Sequence, residues 1–287
     1  MSLLVRKAKY EDRQDAVAAE MKAVRSLHYL NDTWDQFYLD QSGELLVGEV
    51  DGRVVAVGKY TLLYDGSAWL ETLRVDPEFQ GQGIGKGFYT RFLAHAAFQG
   101  VNTLGMYTGT SNVVSKGLAE RFGFRLSAAY RGASWKAAKE GNADTGVQSE
   151  AEPAHGFHPL PPPAAVAQLL PLAASWDGHV IMNRTFYPAT AGTFAGMARE
   201  SKVYLHPASG SICILGHRFL RERGLHLALA AGDVPRILDF AKSEVLRQGL
   251  PQVTIMFPPR NSELQQMLLT AGFELEGSDC IVMTRRS

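Results

Sequence analysis

Apolar positions alternate weakly from Leu3 to Arg6, which predicts a strand. Ala16, Ala19, Met21 and Val24 then recur at helical spacing, which predicts a helix over Tyr10 to Val24 opening after Asp12. A second short helix holds Trp34, Phe37 and Tyr38. Three strand-like runs follow, Glu44 to Glu49, Arg53 to Leu63 and Ala68 to Val75, separated by Asp51-Gly52 and Asp65-Gly66. Such dipeptides signal hairpins, so the runs form an antiparallel meander. Ile84, Phe88, Phe92 and Ala96 lay one apolar stripe along a helix that Gly100 ends. A strand from Thr103 to Tyr107, a helix from Asn112 to Phe122 and a strand from Phe124 complete an α+β unit.

The pattern then breaks and starts again. Lys139 to Pro163 has few large apolar residues and ends in a proline run, which marks a linker over 138–163 between domains at 1–137 and 164–287. Shifting the chain by 149 residues superimposes Gly100 on Gly249, Asn112 on Asn261, Gly123-Phe124 on Gly272-Phe273 and Leu126 on Leu275. Internal duplication is the economical explanation.

Composition narrows the function classes. The 287 residues carry 29 Lys+Arg against 29 Asp+Glu, so no basic bias points to nucleic acid. Two distant cysteines, Cys213 and Cys280, and eight histidines without HxH or HExxH spacing give no metal motif. No apolar run is long enough to span a membrane, and MSLLVRKAKYEDR is charged too early for a signal peptide, so a soluble, cytoplasmic protein is expected.

The chemistry concentrates in FQGQGIGKG, Phe79 to Gly87. A strand, a glycine-rich turn and a helix start direct N–H groups and a helix dipole at one point, which suits phosphate. Gly81, Gly83 and Gly85 are expected to supply positive φ and to let the backbone approach a pyrophosphate, with Gln80 and Lys86 adding side-chain contacts. The spacing is not that of a P-loop, and the preceding meander is not the βαβ start of a dinucleotide fold.

LRVDPEFQGQGIGKGFYTRFL resembles the acetyl-CoA-binding motif of the GNAT N-acetyltransferases, Q/R-x-x-G-x-G/A, here Gln80, Gly83 and Gly85. The likeness extends to V-D-P, the aromatic before the glutamine, Asn112 and the R-F-G-F ending at Phe124. It implies a twisted mixed sheet, mostly antiparallel and flanked by helices, whose fourth and fifth strands splay to admit the pantetheine of acetyl-CoA. Within that superfamily, TWDQFYLDQSGELLVGEVDGRVVAV, WLETLRVDPEFQGQGIGKGF, PLPPPAAVAQLL and VIMNRTFYP are similar to the histidine N-α-acetyltransferase-like group. That likeness implies a small amine acceptor such as a free amino acid.

The resemblance also assigns roles. Backbone groups of Leu73, Arg74 and Val75 and the turn from Gln80 through Gly81, Gln82, Gly83, Ile84, Gly85 and Lys86 to Gly87 are expected to hold the cosubstrate, with Asn112 and Ser115 beside the pantetheine. Glu71 is the expected base, on the strand face opposite Thr72 and Arg74. The family's usual thiolate-protonating tyrosine is Ala119 here, which leaves Ser115 and Tyr107 as substitutes. Tyr29, Trp34 and Tyr38 fall where the family walls its acceptor pocket, although aromatics there also serve as core. In the second half LAAGDV replaces the phosphate turn, and Asp233 is expected to cap the helix, so that domain is read as degenerate. A protein or peptide acetyltransferase and a non-catalytic acyl-CoA-binding module stay open as rivals.

Overall fold

The computed structural model describes residues 2–24, 28–138 and 156–286. Residues 139–155, most of the expected linker, lie outside the described residues. The elements run β1 (Leu3–Lys7), α1 (Arg13–Ala23), α2 (Leu30–Leu39), β2 (Glu44–Val50), β3 (Arg53–Leu62), β4 (Ala68–Val75), α3 (Ile84–Gln99), β5 (Thr103–Gly109), α4 (Val113–Arg121) and β6 (Arg125–Lys136). They continue as β7 (His158–Pro159), α5 (Pro162–Leu169), β8 (His179–Met182), β9 (Thr185–Pro188), α6 (Ala191–Arg199), β10 (Val203–His206), β11 (Ser211–Gly216) and β12 (Leu225–Ala231). The last are α7 (Val234–Arg247), β13 (Gln252–Phe257), α8 (Ser262–Thr270), β14 (Glu274–Leu275) and β15 (Cys280–Arg286).

Two compact units result, Met1–Ser127 with Ile281–Ser287, and Ala128–Cys280. The first has the sheet order β1-β2-β3-β4-β5-β15, antiparallel through β4 and parallel between β4 and β5. Asp51 and Gly52 both take positive φ, 47° and 84°, as a two-residue hairpin turn requires. In the second unit the order is β7-β10-β11-β12-β13-β6, with β12 and β13 parallel, β14 beside β6, and β8-β9 as a separate hairpin.

This division differs from the boundaries expected at 137 and 164. Arg131–Lys136 of β6 pairs with β13, so the strand closing the first half of the sequence serves the second unit, and β15 takes the place beside β5. Alternation tells which face of a strand is buried but not which sheet it joins. β7 already pairs with β10 inside the second unit, so the tail of the expected linker is structured.

The duplication is visible in backbone geometry. Asn112 and Asn261 cap α4 and α8 with the same dihedrals, φ −84° and ψ 74°, each accepting at 3.0 Å from the N–H three residues on. Gly100 and Gly249 end α3 and α7 at φ 69° and 63°. Among the described residues no helix is long and apolar enough to cross a membrane.

The α3 stripe Ile84, Phe88, Phe92 and Ala96 is buried, the first three against Gly48 and Gly58 of the sheet. A Cβ on Gly58 would stand 2.7 Å from the Phe88 ring, so this strand position is bare because the aromatic lies directly on it. Gly58→Ala is expected to destabilise the protein by about 1–3 kcal/mol through overpacking, read as a lower denaturation midpoint at unchanged slope.

Candidate active site

The glycine turn ends in an uncommitted helix start. Gly81 and Gly83 have φ +78° and +85° and open space where a Cβ would be. Gly87 N–H donates to Gly83 O at 3.1 Å, but none of the N–H groups of residues 81–86 donates to a protein acceptor among the described residues. The Gln80 side chain donates to Val75 O at 3.1 Å and Gln82 to Glu78 O at 3.3 Å, bracing the turn across its base. Gly85 departs from expectation: its φ is not positive, and a Cβ there would meet Leu118 at 2.8 Å. Its bareness lets α4 approach α3. Lys86 is exposed on the first turn of α3.

Between β4 and β5 the registered pairs are Ala68 with Leu104 and Trp69 with Gly105, although the strands run on to Val75 and Gly109. Past Trp69 they part. At the same level β4 is bulged: Val57 pairs with Arg74 and Lys59 with Glu71, so Gly58 faces both Thr72 and Leu73. Thr72 takes φ 60°, which a β-branched residue adopts only under strain. A bulge there turns the Thr72 to Arg74 backbone out of the regular ladder, beside the gap.

The bulge also overturns one sequence expectation. Val57 and Lys59 are two apart and share a face, so Glu71 and Arg74 share it as well, instead of lying on opposite faces. Gly58 points to α3, whereas Lys59 reaches Asp40 and Phe37 on the α2 side. Glu71 and Arg74 therefore face α1 and α2. Trp69 and Tyr107 extend the same floor, their rings stacked at 6.3 Å.

Above this floor lies Tyr29, directly before α2. The Tyr29 hydroxyl is 2.9 Å from Thr72 Oγ1. Burial pushes that hydroxyl above its ordinary value, Tyr107 and Glu71 push the same way, and Arg74 opposes them. Glu71, Arg74 and Tyr107 thus all lie close enough to act on the Tyr29 hydroxyl. Thr61 donates to Glu71 Oε1 at 2.5 Å, fixing that carboxylate, which is 8% exposed.

Glu20 is the member that sequence reading missed. The stripe of α1 runs through Ala16, Ala19 and Glu20, while Met21 is 61% exposed. Glu20 Oε2 accepts the N–H groups of Tyr29 and Leu30 at 3.2 and 3.0 Å, which caps α2. Burial raises its carboxyl above the usual range, against the pull of those amides and of Arg74. A carboxylate four residues after Ala16, on the apolar side of the helix, was the available signal.

Other expected site residues sit elsewhere. Trp34 is 0% exposed and stacks on Tyr38, which in turn meets the Tyr10 ring edge at 5.4 Å. Trp34 therefore has no surface to offer a ligand, and Phe37 is core too. Ser115 gives its N–H to Asn112 Oδ1 in the first turn of α4, so Asn112 serves as a cap. Ala119 is fully buried. Among the described residues no group of His, Cys, Asp and Glu could hold a metal ion.

The second unit lacks the cradle. β12 runs almost directly into α7, where Asp233 Oδ1 accepts the Arg236 N–H at 3.2 Å and Asp233 N–H donates to Ser211 Oγ at 3.0 Å. Its helix start is thus capped by its own Asp233 and tied to Ser211 of β11.

Residues 11–124 match the model of the Acetyltransferase (GNAT) family. No curated protein matches the chain, and the likeness to the histidine N-α-acetyltransferase-like group gains no support. Among solved structures, a GCN5-related N-acetyltransferase from Sphaerobacter thermophilus is similar at TM-score 0.61 and 14% identity, over 99% of this chain and 95% of that one. A tandem GNAT protein from the clavulanic acid biosynthesis pathway is similar at TM-score 0.60 and 14% identity, over 99% and 98%. These likenesses establish the fold, in its two-domain form.

Proposed function

With residues 11–124 a member of the GNAT acetyltransferase family, we propose that this N-acetyltransferase moves the acetyl group of acetyl-CoA directly to a primary amine on a small molecule, in the first unit. The observation that carries the reading is the run of unbonded N–H groups at 81–86 beside a bulged, parting strand pair. Acetyl-CoA supplies the activated thioester. The turn from Gln80 to Gly87 binds its pyrophosphate through amides and the dipole of α3. Backbone groups at Leu73 to Val75 polarise the acetyl carbonyl. Glu71, oriented by Thr61, takes the ammonium proton directly or through water. Of the substitutes for the missing tyrosine, Tyr107 is favoured over Ser115 because it lies close enough to act on the Tyr29 hydroxyl, as Glu71 does. A thiol with a reference pKa of about 8.5 asks little of its proton donor. Both cysteines are unpaired and buried, which fits a reducing cytoplasm.

The testing experiment is CoA release across a panel of free amines and peptides. Turnover with free amines supports the reading; turnover confined to peptides selects the protein acetyltransferase, and none at all the acyl-CoA-binding module. Calorimetry is expected to give one CoA per chain, because Asp233 occupies the helix start of the second unit and repels phosphate. Two sites of similar affinity would refute the assignment of the second domain as degenerate.

A further inference from the structure

Arg74 is a half-buried cation without a counter-ion. Its Nε is buried and has no acceptor, and Nη1 has only the carbonyl of the adjacent Leu73 at 3.2 Å. Among the described residues no carboxylate lies within ion-pair distance of it. The nearby acid, Glu20, does not fill that role: Oε2 is spent on the amides of Tyr29 and Leu30, and Oε1 is itself buried without a partner. A guanidinium whose buried Nε has no acceptor is incompletely paired, a deficit that a bound anion would offset.

The floor places an acid beside this cation. Glu71 and Arg74 stand opposite Lys59 and Val57, two residues apart on β3, an interval of about 7 Å. Side chains rising from one face at that spacing can each reach one end of a small molecule that carries an ammonium and a carboxylate on one carbon. Resting on the acetyltransferase reading above, we infer that the acceptor is an amine carrying a carboxylate next to it, with Arg74 binding the carboxylate while Glu71 faces the ammonium. The planar guanidinium suits such a ligand because two of its N–H groups can reach both carboxylate oxygens. Tyr29, hydrogen-bonded to Thr72 inside the bulge, walls the same space. The bulge is what makes the pairing, since a regular strand would put Arg74 on the α3 side.

The test reads binding, so that it stands apart from turnover. Common amino acids, their α-amides and the amines left by removing the carboxyl group are titrated against the full chain by ligand-observed NMR. The parent is expected to bind at least one amino acid about 10-fold or more tightly than its amide, the size of a charge-assisted contact. In Arg74→Gln that ratio falls towards one, and Arg74→Lys restores part of it. Equal binding of acid and amide by the parent, which needs no variant, overturns the inference, as does binding of no carboxylate-bearing probe. Selectivity kept in Arg74→Gln overturns it too, and if CoA affinity drops there instead, Arg74 belongs to the cosubstrate. Failure of the acetyltransferase reading looks different: carboxylate selectivity in binding persists, but no bound probe releases CoA from acetyl-CoA.

Discussion

Gly83→Glu is expected to remove CoA binding, by roughly 10²-fold or more, while leaving the protein folded. Gly83 caps α3 with φ +85°, and nothing stands within 4 Å of where its Cβ would be. The substitution therefore meets no steric wall inside the protein. Its folding cost is the left-handed backbone of a residue with a Cβ, about 1–2 kcal/mol. The cost to the ligand is larger. A carboxylate at the helix start competes with pyrophosphate for the N–H groups of residues 81–86 and repels it at close range. Losing even one or two charge-assisted hydrogen bonds of about 1.5–3 kcal/mol each accounts for the factor. Natural precedent sits in the same chain, where Asp233, one residue beyond the Gly83 equivalent Gly232 at the 149-residue offset, is the N-cap of α7 as Gly83 is of α3. Calorimetric titration with CoA decides it: unchanged affinity in a variant of normal circular dichroism would place the pyrophosphate elsewhere.

What could be read in the sequence was what is local. The glycine turn, the stripe of α3, the Asp51-Gly52 hairpin and the Asn caps are fixed by neighbouring residues, so spacing alone locates them. The repeat was readable for the same reason, since Asn112 and Asn261 do one job with one geometry. Three things were not local. The bulge at Thr72 and Leu73 inserts one residue against Gly58, and one residue is enough to move Arg74 from one face of β4 to the other. Nothing in LETLRV announces it, because the extra residue is recognised only against its partner strand. The exchange of β6 and β15 between units is likewise a matter of pairing, to which an alternating pattern is blind. Glu20 was hidden by its charge: a carboxylate on a helix is ordinarily solvated, and only the hydrogen bonds to Tyr29 and Leu30 show why this one is buried. Gly85 misled in the opposite direction. It belongs to the binding motif by spacing, yet its missing Cβ serves the packing of Leu118.

Glu71→Gln is the second large effect, expected to lower turnover by about 10²-fold, the lower bound for a positioned acid–base group. The substitution is close to a pure change of charge. Gln keeps the carbonyl oxygen that accepts from Thr61, so the hydrogen bond at 2.5 Å has a neutral counterpart and the floor between Trp69 and Arg74 stays in place. What disappears is the proton acceptor. Without it, reaction depends on amine that has already lost its proton in solution, and for an α-amino group of pKa about 8 that fraction falls tenfold per pH unit below 7. The parent draws on the ammonium form as well, so the ratio of parent to variant rates should widen as pH falls and narrow towards pH 9. A role confined to holding Thr61 and the strand would lower the rate by the same factor at every pH. Parallel pH–rate profiles of the two proteins would therefore make Glu71 structural and pass the deprotonation to solvent.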